Sequence, residues 1–374
     1  KKWFTGNWPL NIICKPSQLN LILMKLNIQQ RKVCCVSDIH VGVHQNSANW
    51  HDITLEWASW LTSELKSHSI TDIIISGDLF HYRDEIAVNT IHVVTQMLNM
   101  WKDFNIVLLV GNHDAYYKDK SDINSLSILS GWSNITVISE PMLTEIYGKQ
   151  VMFCPWGTSV EQIQKCDTIF GHFEIESFKL NQHKVCDTGI RSGDLLSRAP
   201  TVITGHFHLR EERSYKNGKI LYLGNPYQMD FGDVNGIKGY YLFDFPTQEY
   251  IFYQNNLSPT HQKIKLSDLI KKQTITSEVR EIFKNNIVKL IVDRVVSPDD
   301  MDVLLRKFLE LKANSITVDY DVNFNKFGLD DGESHDLSGV DIPVAIEEFV
   351  NLLEDIPNKQ DIIEYTVDLY VRSR

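Results

Sequence analysis

Five times between residues 32 and 208 a short apolar, β-branched run ends in a polar cluster of Asp, His, Asn and Gly. "KVCCV" leads into "SDIH", "DIIIS" into "GDLFH", "NIVLLV" into "GNHD", "DTIF" into "GHFE" and "TVIT" into "GHFH". Runs this short, bounded by glycine or polar residues, suit buried strands better than helices. Between the first three lie two stretches of helical periodicity. In 52–67, Ile53, Trp57, Trp60, Leu61 and Leu65 share a face, and in 86–101 Ala87, Ile91, Val94, Leu98 and Trp101 do so. The pattern predicts βαβαβ, with parallel strands and right-handed crossovers. In such sheets ligands bind beyond the carboxyl ends of the strands. All five polar clusters fall at that end.

After residue 210 the texture changes to hairpins: "KILYLGN", "GYYLFDF" and "EYIFYQ" follow one another, as in an antiparallel second sheet. The expected fold class is therefore α/β (α+β), with two sheets packed face to face and helices outside. A boundary falls near 255–265. Beyond it "NIVKLIVD", a helix over 299–312 and "SITVDYD" form a small β-α-β unit. An acidic loop over 329–341 (Asp330, Asp331, Glu333, Asp336, Asp341) precedes two amphipathic helices, 343–355 and 359–371. Their apolar faces carry Val344, Ile346, Phe349, Leu352 and Leu353, then Ile362, Ile363, Val367 and Leu369. Residues 1–23 show no periodicity and are expected to be an extension outside the fold. The expected division is 24–257, 258–328 and 329–374.

The 374 residues, 43% hydrophobic and 23% charged, have the composition of a soluble globular protein. No apolar run is long enough to cross a bilayer. Six cysteines (14, 34, 35, 154, 166 and 186) include no CxxC, and read as buried reduced thiols of a cytoplasmic protein. A net charge of −11 excludes the broad basic face of a protein that holds nucleic acid unaided. Contact with DNA would need a local patch, metal ions or a partner.

Collected, the clusters offer Asp38, His40, Asp78, Asn112, His113, Asp114, His172, His206 and His208. Strand-end turns account for Asp, Asn and Gly, but not for histidines after four separate strands. In "GHFH" alternate residues of an extended segment point the same way, so His206 and His208 face one target. Imidazole, carboxylate and amide oxygen without thiolate suit Mn²⁺, Fe²⁺, Zn²⁺ or Mg²⁺ and not a structural zinc. The set is large enough for two ions if one carboxylate bridges them. Such a pair can clamp the attacking and leaving oxygens of a phosphoester displacement.

The five signatures, in this order and each after a strand, resemble those of the calcineurin-like metallophosphoesterases. The resemblance implies a two-sheet β-sandwich core. It implies that Asp38, His40, Asp78 and His208 hold one metal and Asp78, Asn112, His172 and His206 the other. His113 would then face the scissile phosphate and protonate the leaving oxygen. Asp114 would orient His113 or a loop amide. "GDLFH", "VGNHDAYYKD", "PWG", "GHFEIESF", "YLGNPYQMDFGD" and "EYTVDLYV" are similar, more narrowly, to recombination nucleases of the SbcD (meiotic recombination eleven) type, phage members included. "GNP" stands where cellular members often have "GSP". That resemblance implies His81 as a partner of His113, and Mn²⁺-dependent degradation of duplex DNA from 3′ ends with nicking of single strands. It also implies a capping domain over 258–328, a homodimer, and an SMC-like ATPase (SbcC type) docked on the C-terminal helices.

Tyr116, Tyr117 and Lys118 would line a DNA groove or pack as a loop, and His183 could reach substrate. His44, His51, His68, His92 and His261 read as structural or solvent-exposed. A small-molecule phosphodiesterase and a metal-inactive scaffold of the same fold are the alternatives. "GDLFH" and the capping unit favour the nuclease, and a full ligand set disfavours the scaffold.

Overall fold

The five runs are strands that all end at one edge of the molecule. In a computed structural model of the chain, the described residues are 26, 28–182, 184–271, 276–294, 296, 298–321, 343, 347, 350–351 and 358–372. The expected N-terminal extension, the acidic loop, His183 and most of the first C-terminal helix, with Val344, Ile346, Phe349, Leu352 and Leu353, lie outside them.

The order is β1 (Lys32–Val36), an irregular turn α1 (Val43–Asn46), α2 (Ala48–Ser67), β2 (Asp72–Ile75), α3 (Val88–Met100), β3 (Asn105–Leu109) and β4 (Ile135–Ile138). Then come β5 (Met142–Ile146), β6 (Lys149–Cys154), β7 (Thr168–His172), α4 (Ser192–Leu196), β8 (Thr201–Gly205), β9 (Glu211–Tyr215) and β10 (Gly218–Tyr222). A hairpin of β11 (Gly239–Asp244) and β12 (Glu249–Gln254) closes this part. One sheet runs β12-β11-β1-β2-β3-β4 and the other β5-β6-β7-β8-β10-β9. Strands β1 to β4 are mutually parallel, as are β6, β7, β8 and β10. The expected βαβαβ unit is present.

Two expectations need correction. The late hairpins do not share one sheet: β9–β10 extends the second, whereas β11–β12 returns to pair antiparallel with β1 in the first. Alternation along a strand marks its buried face but not its neighbour, so pairing across 200 residues of sequence was not readable. In α3 the buried stripe runs through Val93, Val94, Met97 and Leu98, so Ile91, expected inside, is 41% exposed.

The strands separate three apolar layers. Val33, Cys35, Ile74, Val107 and Phe243 meet Phe153, Phe170, Ile203 and Leu221 between the sheets. Cys34, Ile73, Ile75 and Leu108 point the other way, onto Trp57, Leu61, Leu65 and Trp101 of the helical layer. Met152, Ile169, Val202 and Ile220 form the outer layer of the second sheet with Phe173, Phe178 and Leu195. The adjacent cysteines are thus explained by the two-residue period: one faces the helices and one the sheet interface. Among the described residues every cysteine is a free thiol, and no helix is long and apolar enough to cross a membrane.

Past Gln254 a three-stranded parallel sheet forms from β13 (His261–Lys265), β14 (Ile287–Val292) and β15 (Ser315–Tyr320). Helices α5 (Leu266–Lys271), α6 (Ser277–Phe283) and α7 (Pro298–Glu310) accompany it. The expected β-α-β unit is β14-α7-β15. The strand β13, "HQKIK", was not legible in so short and polar a run. This small sheet has its own apolar cluster, including Leu266, Phe283, Val288, Leu290, Val292 and Phe308. It meets the larger part where the His261 amide donates to Gln228 Oε1 (2.6 Å) and the His261 ring stacks on Trp50 (5.9 Å). Among the described residues, those up to Asp321 form one compact unit and those beyond it another. In the second, α8 (Lys359–Arg372) is the expected last helix; Ile363 is buried and Ile362 partly exposed.

Candidate active site

Site geometry begins with the backbone that follows each strand. Asp38, His40, Asp78 and His206 all have positive φ (55°, 50°, 56° and 99°). Non-glycine residues rarely adopt this region, and holding one there costs about 1–3 kcal/mol. The bends survive because they are tied together: the amides of Asp38 and His40 donate to the carbonyls of Gly77 and Asp78, both at 3.0 Å. Gly77, at φ 97°, has no alternative, since a Cβ there would lie 2.3 Å from His172 Nδ1. This is the physical content of the glycine in "GD".

The loops bring together side chains from both sheets. Ligand-type atoms of Asp38, His40 and His208 lie within 4.8 Å of one another, and so do those of Asp78, His172 and His206. Asp78 Oδ2 is 3.3 Å from His172 Nε2 and 3.6 Å from His40 Nε2, so one carboxylate faces both groups. Asn112 Oδ1 is 2.8 Å from His172 Nε2 and 2.8 Å from His206 Nδ1. His208 Nε2 approaches His40 Nε2 to 3.0 Å. The Asp38 carboxylate accepts the His206 amide (3.1 Å). All seven residues that the sequence pointed to as ligands converge here. Apart from His206 and His208, they are almost wholly buried.

Tautomers show what the cavity asks for. His172 Nδ1–H donates to the Ser76 carbonyl (2.7 Å), which leaves the Nε2 lone pair aimed at Asn112 Oδ1 and Asp78 Oδ2. Three acceptors then converge with no proton between them, an arrangement that requires positive charge. The titration directions agree. Burial alone would lower His172, but Asp78 and Asp38 raise it to about 9, so a proton is drawn to the position a cation would take. Burial holds His40 well below the ordinary imidazole range and lowers His206 to about 3, keeping their lone pairs available. Burial pushes Asp78 up, but the surrounding imidazoles more than reverse this and leave it ionised. Imidazole nitrogens, two buried carboxylates and an amide oxygen fit a pair of divalent cations.

His113 stands beside this centre. Its amide donates to Asp78 Oδ1 (2.8 Å) and its Nδ1–H to the His81 carbonyl (2.6 Å). The His81 and His113 rings stack at 5.4 Å and 20°, and both abut His40. Burial, helped by repulsion from His113, lowers His81 to about 4. Asp114 does not reach His113's ring; its carboxylate accepts the amides of Leu79 (3.3 Å), Phe80 (3.0 Å) and Gly111 (3.0 Å). It thereby ties the β3 loop to the β2 loop.

A cavity of about 520 Å³ opens over Asn112 and His206, lined also by Arg83, Asp84, Tyr116, Lys118, Trp156 and Glu174. Tyr116 is 54% exposed there. The Tyr117 ring meets that of Tyr116 edge-on at 5.0 Å and lies under Lys120 (5.1 Å). Four of these neighbours, Arg83, Asp84, Trp156 and Glu174, were not singled out from sequence. Trp156 overlies the His206 ring at 5.0 Å and donates its indole N–H to the Lys118 carbonyl (2.7 Å). Glu174 Oε2 lies 3.8 Å from His206 Nε2, and Arg83 also lines the wall. Trp156 and Glu174 had a usable signal, since they stand inside "PWG" and "GHFE" at strand ends; Arg83 and Asp84 had none beyond proximity to "GDLFH". Of the histidines set aside, His51 is buried and bonded to Thr90 Oγ1 (3.1 Å), while His44 bonds the Met229 carbonyl (2.7 Å).

Comparison with known proteins places this arrangement. Exonuclease subunit 1 of Enterobacteria phage T4 is 27% identical over 365 residues, covering 91% of this chain and 99% of that protein. A solved structure of an archaeal phosphodiesterase is matched over 60% of this chain and 99% of that one, at 13% identity and a TM-score of 0.35, too low to carry an argument. Residues 31–242 match the calcineurin-like phosphoesterase family, over the span that contains both sheets and every residue of the buried centre. The chain belongs to the calcineurin-like phosphoesterases and is a hydrolase of phosphoester bonds.

Proposed function

We propose that this chain is a metal-dependent DNA nuclease. The observation that carries the reading is the pair of buried ligand groups meeting at Asp78, beside an open cavity edged by Tyr116, Lys118 and Arg83. A dinuclear centre suits a phosphodiester, and an exposed ring in one cavity with two cationic side chains suits a base and its backbone. The likeness to a phage exonuclease subunit supports the same substrate.

On this reading Asp38, His40, Asp78 and His208 hold one cation and Asp78, Asn112, His172 and His206 the other, with Mn²⁺ the favoured ion. When bound, the pair supplies Lewis acidity at the phosphoryl oxygens and lowers the pKa of nearby water. The remaining work belongs to the chain. His113, anchored through Nδ1 to the His81 carbonyl, presents Nε2 as the proton donor to the leaving oxygen. His81, stacked on it, fixes the plane of that ring. Tyr116 and Lys118 hold the strand next to the scissile bond.

Activity from 3′ ends of duplexes and on single strands belongs to this proposal, as do a homodimer and an SMC-like ATPase docked on the C-terminal helices. The small sheet over 261–320 would act as the DNA-facing cap. A protein of net charge −11 needs such help to hold DNA.

The test is a gel assay of the purified chain on end-labelled duplex and single-stranded DNA with Mn²⁺, Mg²⁺ or EDTA, alongside a chromogenic phosphodiester. Mn²⁺-dependent shortening, lost in His113→Ser, is expected. Cleavage of the ester with DNA left intact, even when the ATPase is added, would replace the nuclease by a small-molecule phosphodiesterase. No cleavage of either would leave a scaffold.

A further inference from the structure

The stretch "YLGNPYQMDFGD" and the lysine that follows it contribute nothing to the ligand set, yet they build a buried charged cluster against it. Lys238 is 5% exposed, Asp233 3% and Asn225 1%. Lysine is almost never buried without a partner. Here all three ammonium protons are used: Nζ donates to Asp233 Oδ1 (2.5 Å), to Asn225 Oδ1, and to the backbone carbonyl of His208 (2.7 Å). Asp233 is held in turn by Asn225 Nδ2 (3.1 Å) and the Met229 amide (2.9 Å). The Asn225 amide also donates to the His208 carbonyl (3.3 Å). Gly224, at φ 70°, lets the chain pass so close that a Cβ there would lie 2.7 Å from that same oxygen.

Everything in the cluster therefore converges on one atom, the His208 carbonyl. Fixing that carbonyl fixes the Cα–Cβ vector of His208, and so where its imidazole meets His40. A buried ion pair is a poor way to fill space, because apolar residues of similar volume stabilise a core as well or better. What apolar residues cannot do is donate to a carbonyl. We propose that Lys238, set by Asp233 and Asn225, is a positioning residue that holds His208 in place for one of the two metal positions. The same arrangement explains why asparagine stands in "GNP". Its Oδ1 accepts from Lys238 while its Nδ2 donates to Asp233, whereas a serine hydroxyl would have to do both from a single atom closer to the backbone.

The inference rests on the reading of His208 as a ligand, and the experiment separates the two. Mn²⁺ binding to the metal-stripped full-length chain is measured by titration calorimetry and by metal analysis, with thermal unfolding of the metal-free form as a control. Wild type is expected to bind two ions. Lys238→Met should keep one at wild-type affinity and weaken the other by about 10–100-fold, the usual cost of losing a group behind a ligand. Asn225→Ser should weaken the same ion by less. His208→Ala should remove the ion that Lys238→Met weakens. If wild type binds no Mn²⁺, the ligand reading fails. If wild type binds two ions and folded Lys238→Met binds both as tightly, the positioning role fails. Should Lys238→Met not fold, Lys238→Met/Asp233→Leu removes both charges. If that variant folds, it must show the same selective loss; if it too fails to fold, the cluster serves the core and the proposal is overturned.

Discussion

The larger part of this chain and its small C-terminal sheet are built alike, from parallel strands joined by helices, yet among the described residues only the larger part carries a constellation at its strand ends. In the larger part the carboxyl ends of β1, β2, β3, β7 and β8 deliver Asp38, His40, Asp78, Asn112, His172 and His206 to one centre. In the small sheet the carboxylate after β14, Asp293, is used locally: it accepts the amide (3.0 Å) and hydroxyl (2.5 Å) of Ser267 at the start of α5. The difference is not in the strands. A single small sheet has one strand-end edge, and its polar groups satisfy neighbouring loops. Two sheets packed face to face bring two such edges together, and the acceptors there outnumber the protons available to them.

That contrast is breakable. The largest effect is expected at Asp78, the carboxylate common to both groups. Asp78→Ala should abolish hydrolysis of a chromogenic phosphodiester and leave no tightly bound Mn²⁺, whereas Asp293→Ala should keep both. Measurable turnover by a metal-depleted Asp78→Ala protein would remove the shared centre from the account. Next comes His113. Changing it to asparagine should lower kcat by about 10²–10⁴-fold with metal content unchanged. Loss of metal instead would make it a ligand.

Packing sharpens the comparison in another way. Trp57, fully buried beneath the first sheet, should cost about 3–5 kcal/mol when cut to alanine. Leu290→Ala, in the small sheet's own cluster, should cost about 2–5 kcal/mol. Urea unfolding read alongside ester hydrolysis would tell them apart: a folded Leu290→Ala protein should retain its turnover of the small ester, because its layer touches no ligand.

The junction between the regions should respond to acid. His261 lies against Trp50 with Nδ1 buried and unpartnered among the described residues. Burial lowers it to about 4, against opposition from Asp233 and Asp230. Its folded value lies below the ordinary one of about 6.5, so its neutral form is favoured on folding. The stability it supports is complete above pH 6.5 and is lost as pH falls toward 4, up to about 3 kcal/mol. His261→Gln should flatten that part of the urea-midpoint profile; an unchanged profile would show that the junction does not titrate. The smallest effect is expected at Tyr116, where alanine should weaken single-stranded DNA binding by about 1–3 kcal/mol and leave the small ester's turnover alone.

Much of the centre was legible because each contribution is local. A strand followed by a tight bend puts the next one to three residues at the sheet's carboxyl edge, whatever lies elsewhere. Asp38, His40, Asp78, Asn112, His113, His172, His206 and His208 could therefore be picked out without knowing how the strands pair. Residues that act across long separations were not legible in this way. Trp156 reaches His206 from another strand, Lys238 acts on His208 from 30 positions away, and β11 joins β1 across 200 residues.

By itself the sequence determined the strand–helix period, the edge at which the polar residues emerge and the chemical class of the cations they can hold, because those follow from backbone geometry within a few residues. Only the tertiary structure decided that Asp78 faces both histidine groups, that the Asp114 carboxylate accepts amides of two loops, and that a buried lysine grips the carbonyl behind His208. Those depend on which strands become neighbours, and neighbours are selected by burial of three apolar layers at once, which no single segment encodes.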